Sequence, residues 1–144
     1  MTADPNTTGA AASGTEPDGF VASDLSASLT VAALETSVAW YRDVIGFTVD
    51  RMFDRAGTPF AAPLRAGAVR IFLTQDDGGK GTERAKGEGI SLRLTTTQNV
   101  DALAARVRER GGTLDAEPFD GFGQRVFRLR DPDGFKLVIS SEQR

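Results

Sequence analysis

The chain has 144 residues, 40% of them hydrophobic and 26% charged, a size and balance that fit one domain able to bury its own core. It contains neither cysteine nor histidine, which excludes disulfides, thiolate nucleophiles, the Ser-His-Asp triad, the usual zinc sites and imidazole acid–base chemistry. Its 17 Lys and Arg residues stand against 20 Asp and Glu, a net charge of −3, unlike the basic footprint of a nucleic-acid binder.

The acidity is concentrated at the start. Residues 1–24 hold Asp4, Glu16, Asp18 and Asp24 but no Lys or Arg. This segment is Ala, Thr, Gly, Pro and Asp with almost no large apolar side chains, too little to offset the entropy of ordering. A flexible tail is therefore predicted over 1–24, with Phe20 and Val21 as the side chains suited to docking on the domain or a partner chain. No stretch reaches the roughly 18 apolar residues of a membrane span, and the start of the chain lacks the basic and apolar runs of a secretory signal. The expectation is a cytoplasmic protein with neither membrane nor nucleic acid as a partner.

From Leu25 the chain alternates, with Leu25, Ala27, Leu29 and Val31 apolar and Ser26, Ser28 and Thr30 polar, which marks a half-buried strand. Leu34, Val38, Tyr41 and Ile45 then form one stripe of a helix that stops at Gly46. Extended runs follow at about Phe47–Asp54, Phe60–Arg65 and Val69–Thr74, broken at Gly57-Thr58-Pro59 and at Gly67. Gln75–Gly89 is polar and glycine-rich and reads as a connection, with Asp76 and Asp77 solvated within it.

The order of elements then repeats. Ile90–Thr95 alternates as the first strand does, and Ser91-Leu92-Arg93-Leu94 lies 63 positions after Ser28-Leu29-Thr30-Val31. A second helix uses Val100, Leu103, Ala104 and Val107, with Thr97 or Asn99 as its cap and Gly111-Gly112 as its stop. Extended runs at about Thr113–Pro118, Gln124–Arg130 and Phe135–Ser141 complete the copy. Phe119–Gly123 is expected to be a glycine-rich hairpin loop, and Asp131-Pro132-Asp133-Gly134 a type I turn whose composition the turn itself explains.

The prediction is an α+β fold of two strand-helix-strand-strand-strand modules. Each helix covers one face of a curved mixed sheet, and the other faces form opposing concave walls. The first module is expected at about residues 25–75, a linker at about 76–88 and the second module at about 89–141, within a domain spanning 25–144.

Leu34-Glu35-Thr36-Ser37-Val38-Ala39-Trp40-Tyr41-Arg42-Asp43-Val44-Ile45-Gly46-Phe47 resembles the "DLxxSxxFYxxxLGF" signature of the vicinal oxygen chelate superfamily, which includes glyoxalase I, bleomycin resistance proteins and extradiol dioxygenases. Gly121-Phe122-Gly123 and Asp131-Pro132-Asp133-Gly134-Phe135-Lys136-Leu137-Val138 are similar to that family's "GxG…DPDGxxxE" close. The resemblance runs from about Leu25 to Ser141 and implies the doubled module described above. The family's metal ligands, placed by motif, fall on Ser26, Phe72, Gly89 and Val138, and the "DL" aspartate on Ala33. A hydroxyl, a phenyl ring, a bare backbone and an isopropyl group do not make a coordination sphere. The expectation is therefore no metal and no other cofactor, and no metal-dependent glyoxalase or dioxygenase activity.

Strand alternation places Ser28, Arg70, Phe72, Arg93, Arg128, Lys136 and Val138 on the concave faces, and the resemblance implies that Phe122 takes the place of a family aromatic at the mouth of the cleft. Guanidinium groups pair with carboxylates and stack on flat rings. These eight residues therefore predict a cleft for an anionic or aromatic small molecule, in a binding protein of the kind that resemblance to bleomycin resistance proteins implies. That resemblance also implies a homodimer, with each cleft within one chain or shared between two. The alternative is a metal-independent isomerase or lyase, with Asp50, Asp54 or Asp120 as the base and arginines holding an anionic intermediate. Trp40 and Tyr41 read as core. Gly78-Gly79-Lys80-Gly81-Thr82 lacks the spacing of a phosphate loop.

Overall fold

The computed structural model describes residues 18–81 and 84–142. Most of the expected tail, residues 1–17, lies outside the described residues. Strand β1 (Ala27–Val31) leads through Ala32 and Ala33 to helix α1 (Leu34–Trp40), which continues as a π-helical turn over Tyr41–Ile45. Strands β2 (Thr48–Val49), β3 (Phe53–Arg55), β4 (Thr58–Ala66) and β5 (Val69–Gln75) complete the first module. The second comprises β6 (Ser91–Thr96), α2 (Val100–Glu109), β7 (Leu114–Gly121), β8 (Gln124–Arg130) and β9 (Lys136–Ser141).

The two sheets have the same plan. In the first, β1 pairs parallel with β5, and the order runs β1-β5-β4-β2 with β3 also on β4. In the second, β6 pairs parallel with β9, and the order runs β6-β9-β8-β7. Each parallel pair is the start and end of one module, so the helix crosses over one face and buries the apolar half of each alternating strand. Leu29, Val31, Leu64, Ile71 and Leu73 from the first sheet share one core with Phe127, Leu129, Leu137 and Ile139 from the second. Leu34, Val38 and Tyr41 of the first helical segment and Val100, Ala104 and Val107 of α2 fill it. Hence the two modules fold around a common interior.

Several details depart from the sequence reading. Leu25 precedes β1 and is 94% exposed, because the ladder with β5 opens at Ala27 opposite Ile71. The first helix is not uniform. Both Gly46 N and Phe47 N donate to Tyr41 O at 2.9 Å, and Gly46 takes φ +109°, a conformation open to glycine that ends the helix. The run expected over Phe47–Asp54 splits in two, since Pro63 on β4 has no N–H to give. Asp50 N still donates to Pro63 O at 3.1 Å, but the ladder is otherwise broken there. The Gly57-Thr58-Pro59 break contracts to Ala56-Gly57, at φ +53° and +82°, while Thr58 and Pro59 are already strand. The Phe119–Gly123 loop contracts likewise. Phe119, Asp120 and Gly121 belong to β7, leaving Phe122 and Gly123 as a two-residue turn at φ +54° and +75°. Positive φ at both central residues matches the twist of a tight hairpin.

The connection is more anchored than its composition suggests. Asp76, read as solvated, accepts from Lys86 Nζ at 2.6 Å and from Gly78 N at 2.9 Å. The Lys86 and Asp76 side chains are only 10% and 13% exposed. Gly87 lies against Phe135, so close that an added Cβ would meet the ring at 2.8 Å.

Candidate functional site

The concave face of the second sheet is built in rows by its register. Ser91, Lys136 and Arg130 form the first row, Arg93, Val138, Arg128 and Ala116 the second, and Thr95, Ser140, Val126 and Phe119 the third. Two register shifts in β7, between Leu114 and Ala116 and between Ala116 and Phe119, bring Phe119 into the third row, and β7 is an edge strand, where the missing N–H of Pro118 is tolerated. The first two rows border a groove of about 630 Å3, within the range of small-molecule sites.

The groove is cationic. Asp115 is its one carboxylate and is committed to Arg130 at 2.7 Å. Arg93, Arg128 and Lys136 remain without a carboxylate partner among the described residues. Arg93 donates instead to the neutral Gln124 side chain at 3.1 Å, and the Arg128 guanidinium lies 5.2 Å from the centre of the Phe119 ring. Val138 is buried in the floor. Four of the eight predicted residues, Arg93, Arg128, Lys136 and Val138, are thus brought together.

The other four lie elsewhere. Ser28 is opposite Phe72, which is opposite Pro63, on the concave face of the first sheet. Arg70 on the same face is exposed and contacts Asp24 at 3.4 Å. Phe122 sits at the tip of the β7–β8 turn, 88% exposed, and does not border the groove. The aromatic ring beside the groove cation Arg128 is Phe119, one row beyond the groove, which sequence spacing could not separate from Phe122 because the β7 register shifts decide which of the two faces inward.

A second hollow of about 630 Å3 lies at the seam between modules, between the β4–β5 turn, the end of β6 and α2. It contains none of the eight residues, and Arg106 is its one charged side chain. The seam is held on its other side by the Asp131–Gly134 turn. Tyr41 Oη donates to Asp131 Oδ2 at 2.8 Å, and Asp131 Oδ1 accepts from Asp133 N and Phe135 N. Asp133 accepts from Ala32 N at 2.8 Å and from the Ser37 hydroxyl at 3.3 Å. Burial raises the Asp131 carboxyl above its ordinary pKa against the pull of these donors, and burial together with Asp131 pushes the Tyr41 phenol far up. The turn therefore does more than reverse the chain, because both of its carboxylates tie the modules together. Ala33 gives α1 no side-chain cap, and Gln75 Oε1 serves instead, accepting from Leu34 N at 2.8 Å.

The residues do not fit a metal ion. Ser26 stands just before β1, Phe72 is half-buried on β5, Gly89 lies in the turn before β6, and Val138 is in the groove floor. Among the described residues no three Asp or Glu side chains converge as ligands. Of the candidate bases, Asp50 is paired with Arg65 at 2.9 Å and Asp120 with Arg125 at 3.4 Å. Among the described residues no helix is long and apolar enough to cross a membrane.

Comparison with known proteins agrees with this architecture. TioX from Micromonospora sp. ML1 superposes with a TM-score of 0.68 at 20% identity, over 83% of this chain and 98% of that one. TnmS3, an antibiotic binding protein from Streptomyces sp. CB03234, gives 0.69 at 20% identity, over 87% of this chain and all (100%) of its own. A glyoxalase/bleomycin resistance protein/dioxygenase from Nocardioides gives 0.59 at 18% identity, over 86% and 87% of the two chains. At these identities the likeness shows the fold. No curated protein matches the chain significantly. The family model for the Glyoxalase/Bleomycin resistance protein/Dioxygenase superfamily matches residues 25–139, and with the doubled module above it, the chain belongs to that superfamily.

Proposed function

We propose that the protein binds a small aromatic anion, without a metal, in the groove of its second sheet. The observation that carries this reading is the charge balance of the groove: Arg93, Arg128 and Lys136 stand over an apolar floor, and Asp115 is matched by Arg130. A cation-lined hollow concentrates anions, and Val138, with the Phe119 ring next to Arg128 one row beyond, supplies the apolar contact that orients a ring. The name of TnmS3 as an antibiotic binding protein supports small-molecule capture on this fold, although a strongly cationic ligand would be repelled here.

The groove is open on one side, while Ser28, Arg70 and Phe72 stand on the concave face of the other sheet. In our reading a homodimer sets that face of a second copy over the groove, so that all but Phe122 of the predicted residues meet one ligand. The working protein is then a cytoplasmic dimer. Thermal unfolding with benzoate and with uncharged benzamide tests the site, since a ligand specific to the folded state must stabilise it. Benzoate raising the midpoint and benzamide failing to do so is the expected result. Equal effects, or none, would contradict it.

A further inference from the structure

Ser140 is fully buried, and its hydroxyl is the one side-chain polar atom among the described residues that is buried without a hydrogen-bond partner. Its neighbour is fully served. Ser141 Oγ accepts from Arg125 N at 2.8 Å and donates to Glu142 O at 3.3 Å. An unsatisfied hydroxyl in a core is costly and uncommon, and asks for an explanation.

The register shows which residues share its face. On the concave face, Arg93 on β6 is level with Val138, and Ser140 with Val126. Gln124 stands on β8 two residues beyond Val126, on the same face. Arg93 Nη2 nevertheless reaches Gln124 Oε1 at 3.1 Å. Between them the two side chains span two strand spacings, roughly 9.5 Å, and two rows along the strands, roughly 13 Å, and the Ser140 row lies midway along that diagonal. Gln124 is itself held, since its Nε2 donates to Ser141 O at 2.8 Å. The Arg93–Gln124 bond thus crosses the row of Ser140, and it joins a cation to a neutral acceptor, a partner that a carboxylate outcompetes.

Resting on the anion-site reading above, we propose that the ligand is an aromatic carboxylate carrying a second polar group at the para position, and that Ser140 is the residue that selects it. The carboxylate draws Arg93 off Gln124 toward the row of Val138 and Arg128, which clears the row of Ser140. The hydroxyl then pairs with the para group, donating or accepting as that group requires. Alternate residues of a strand stand roughly 6.7 Å apart, close to the span from a carboxyl carbon to a para oxygen on one benzene ring. Phe119, in the Ser140 row, lies beside the ring.

Calorimetric titration of the full chain with benzoate and with para-hydroxybenzoate tests this. The wild-type protein should bind the hydroxylated acid about tenfold more tightly, the worth of one well-made hydrogen bond. Ser140→Ala should abolish that preference, leave benzoate affinity unchanged and leave the thermal midpoint unchanged or higher, because the free protein gives the hydroxyl nothing to lose. Gln124→Ala, which frees Arg93, should tighten binding of both acids. If benzoate binds but the preference is absent or survives in Ser140→Ala, the anion site stands and the Ser140 proposal falls. A lowered midpoint in Ser140→Ala would likewise assign the hydroxyl to stability and overturn it. If neither acid binds the wild-type protein, the anion site is itself wrong and the proposal falls with it.

Discussion

Tyr41 Oη donates to Asp131 Oδ2 across 90 residues of sequence, at 2.8 Å and out of solvent. This bond joins the helix of one module to the hairpin turn of the other. Tyr41→Phe leaves a buried carboxylate oxygen without its donor and should cost about 1–3 kcal/mol in urea unfolding. Because burial already raises the Asp131 carboxyl, its share of stability is present below the ordinary carboxylate pKa and lost as pH rises through the raised value. The Tyr41 hydrogen bond works against that rise by favouring the ionised carboxylate, so the cost of Tyr41→Phe should be larger at neutral pH than at about pH 3, where unfolded carboxyls are also protonated. An equal cost at both would assign the loss to packing alone.

The Asp76–Lys86 pair has the opposite sign. The Lys86 hydrogen bond, then the Gly78 amide, holds the Asp76 carboxyl below its ordinary value, so the stability it contributes is present above that value and lost as pH falls through the lowered one. Lys86→Met should flatten the decline of the urea midpoint below about pH 4. A decline as steep as that of the wild-type protein would show that the pair does not anchor the connection between modules.

Helix α1 depends on a borrowed cap. Gln75 Oε1 accepts from Leu34 N while Gln75 Nε2 donates to Ala32 O and Asp76 O. Gln75→Ala should cost about 1–2 kcal/mol, as loss of an N-cap does, and Gln75→Glu, which retains the acceptor, should cost less. Amide exchange at Leu34 and Glu35 is the local readout.

Gly112 is where α2 meets the turn of the first module. A Cβ there would stand 2.5 Å from Val107 Cγ1 and 2.7 Å from Val44 Cγ1. Gly112→Ala should destabilise by about 1–3 kcal/mol through overpacking, and Val44→Ala combined with it should recover part of the loss. A neutral Gly112→Ala would mean that the seam yields freely.

What was legible in the sequence follows from what periodicity encodes. The alternation of Ser28-Leu29-Thr30-Val31 and of Ser91-Leu92-Arg93-Leu94 fixed which residues face the helices, and the structure places Leu29, Val31, Leu92 and Leu94 on that side. Face assignment likewise put Arg93, Arg128, Lys136 and Val138 in one groove. Contacts between modules were not legible. No local pattern announces that Asp133 will serve Ala32 and Ser37, or that Gln75 will cap a helix 41 residues upstream. Register shifts were hidden as well, and they put Phe119 rather than Phe122 beside Arg128.

The groove cations carry the function proposed here. Arg93→Ala and Arg128→Ala should each weaken benzoate by about 1.5–3 kcal/mol, the range for a hydrogen bond to a charged group, with the wild-type affinity falling as salt is raised. Arg106→Ala at the seam should change neither.

Mapping the backbone resonances that shift on titration with benzoate locates the ligand directly. Shifts centred on Arg93, Arg128 and Val138 are the predicted result; shifts centred on Gly67, Leu103 and Arg106 would place the ligand at the seam and contradict the account.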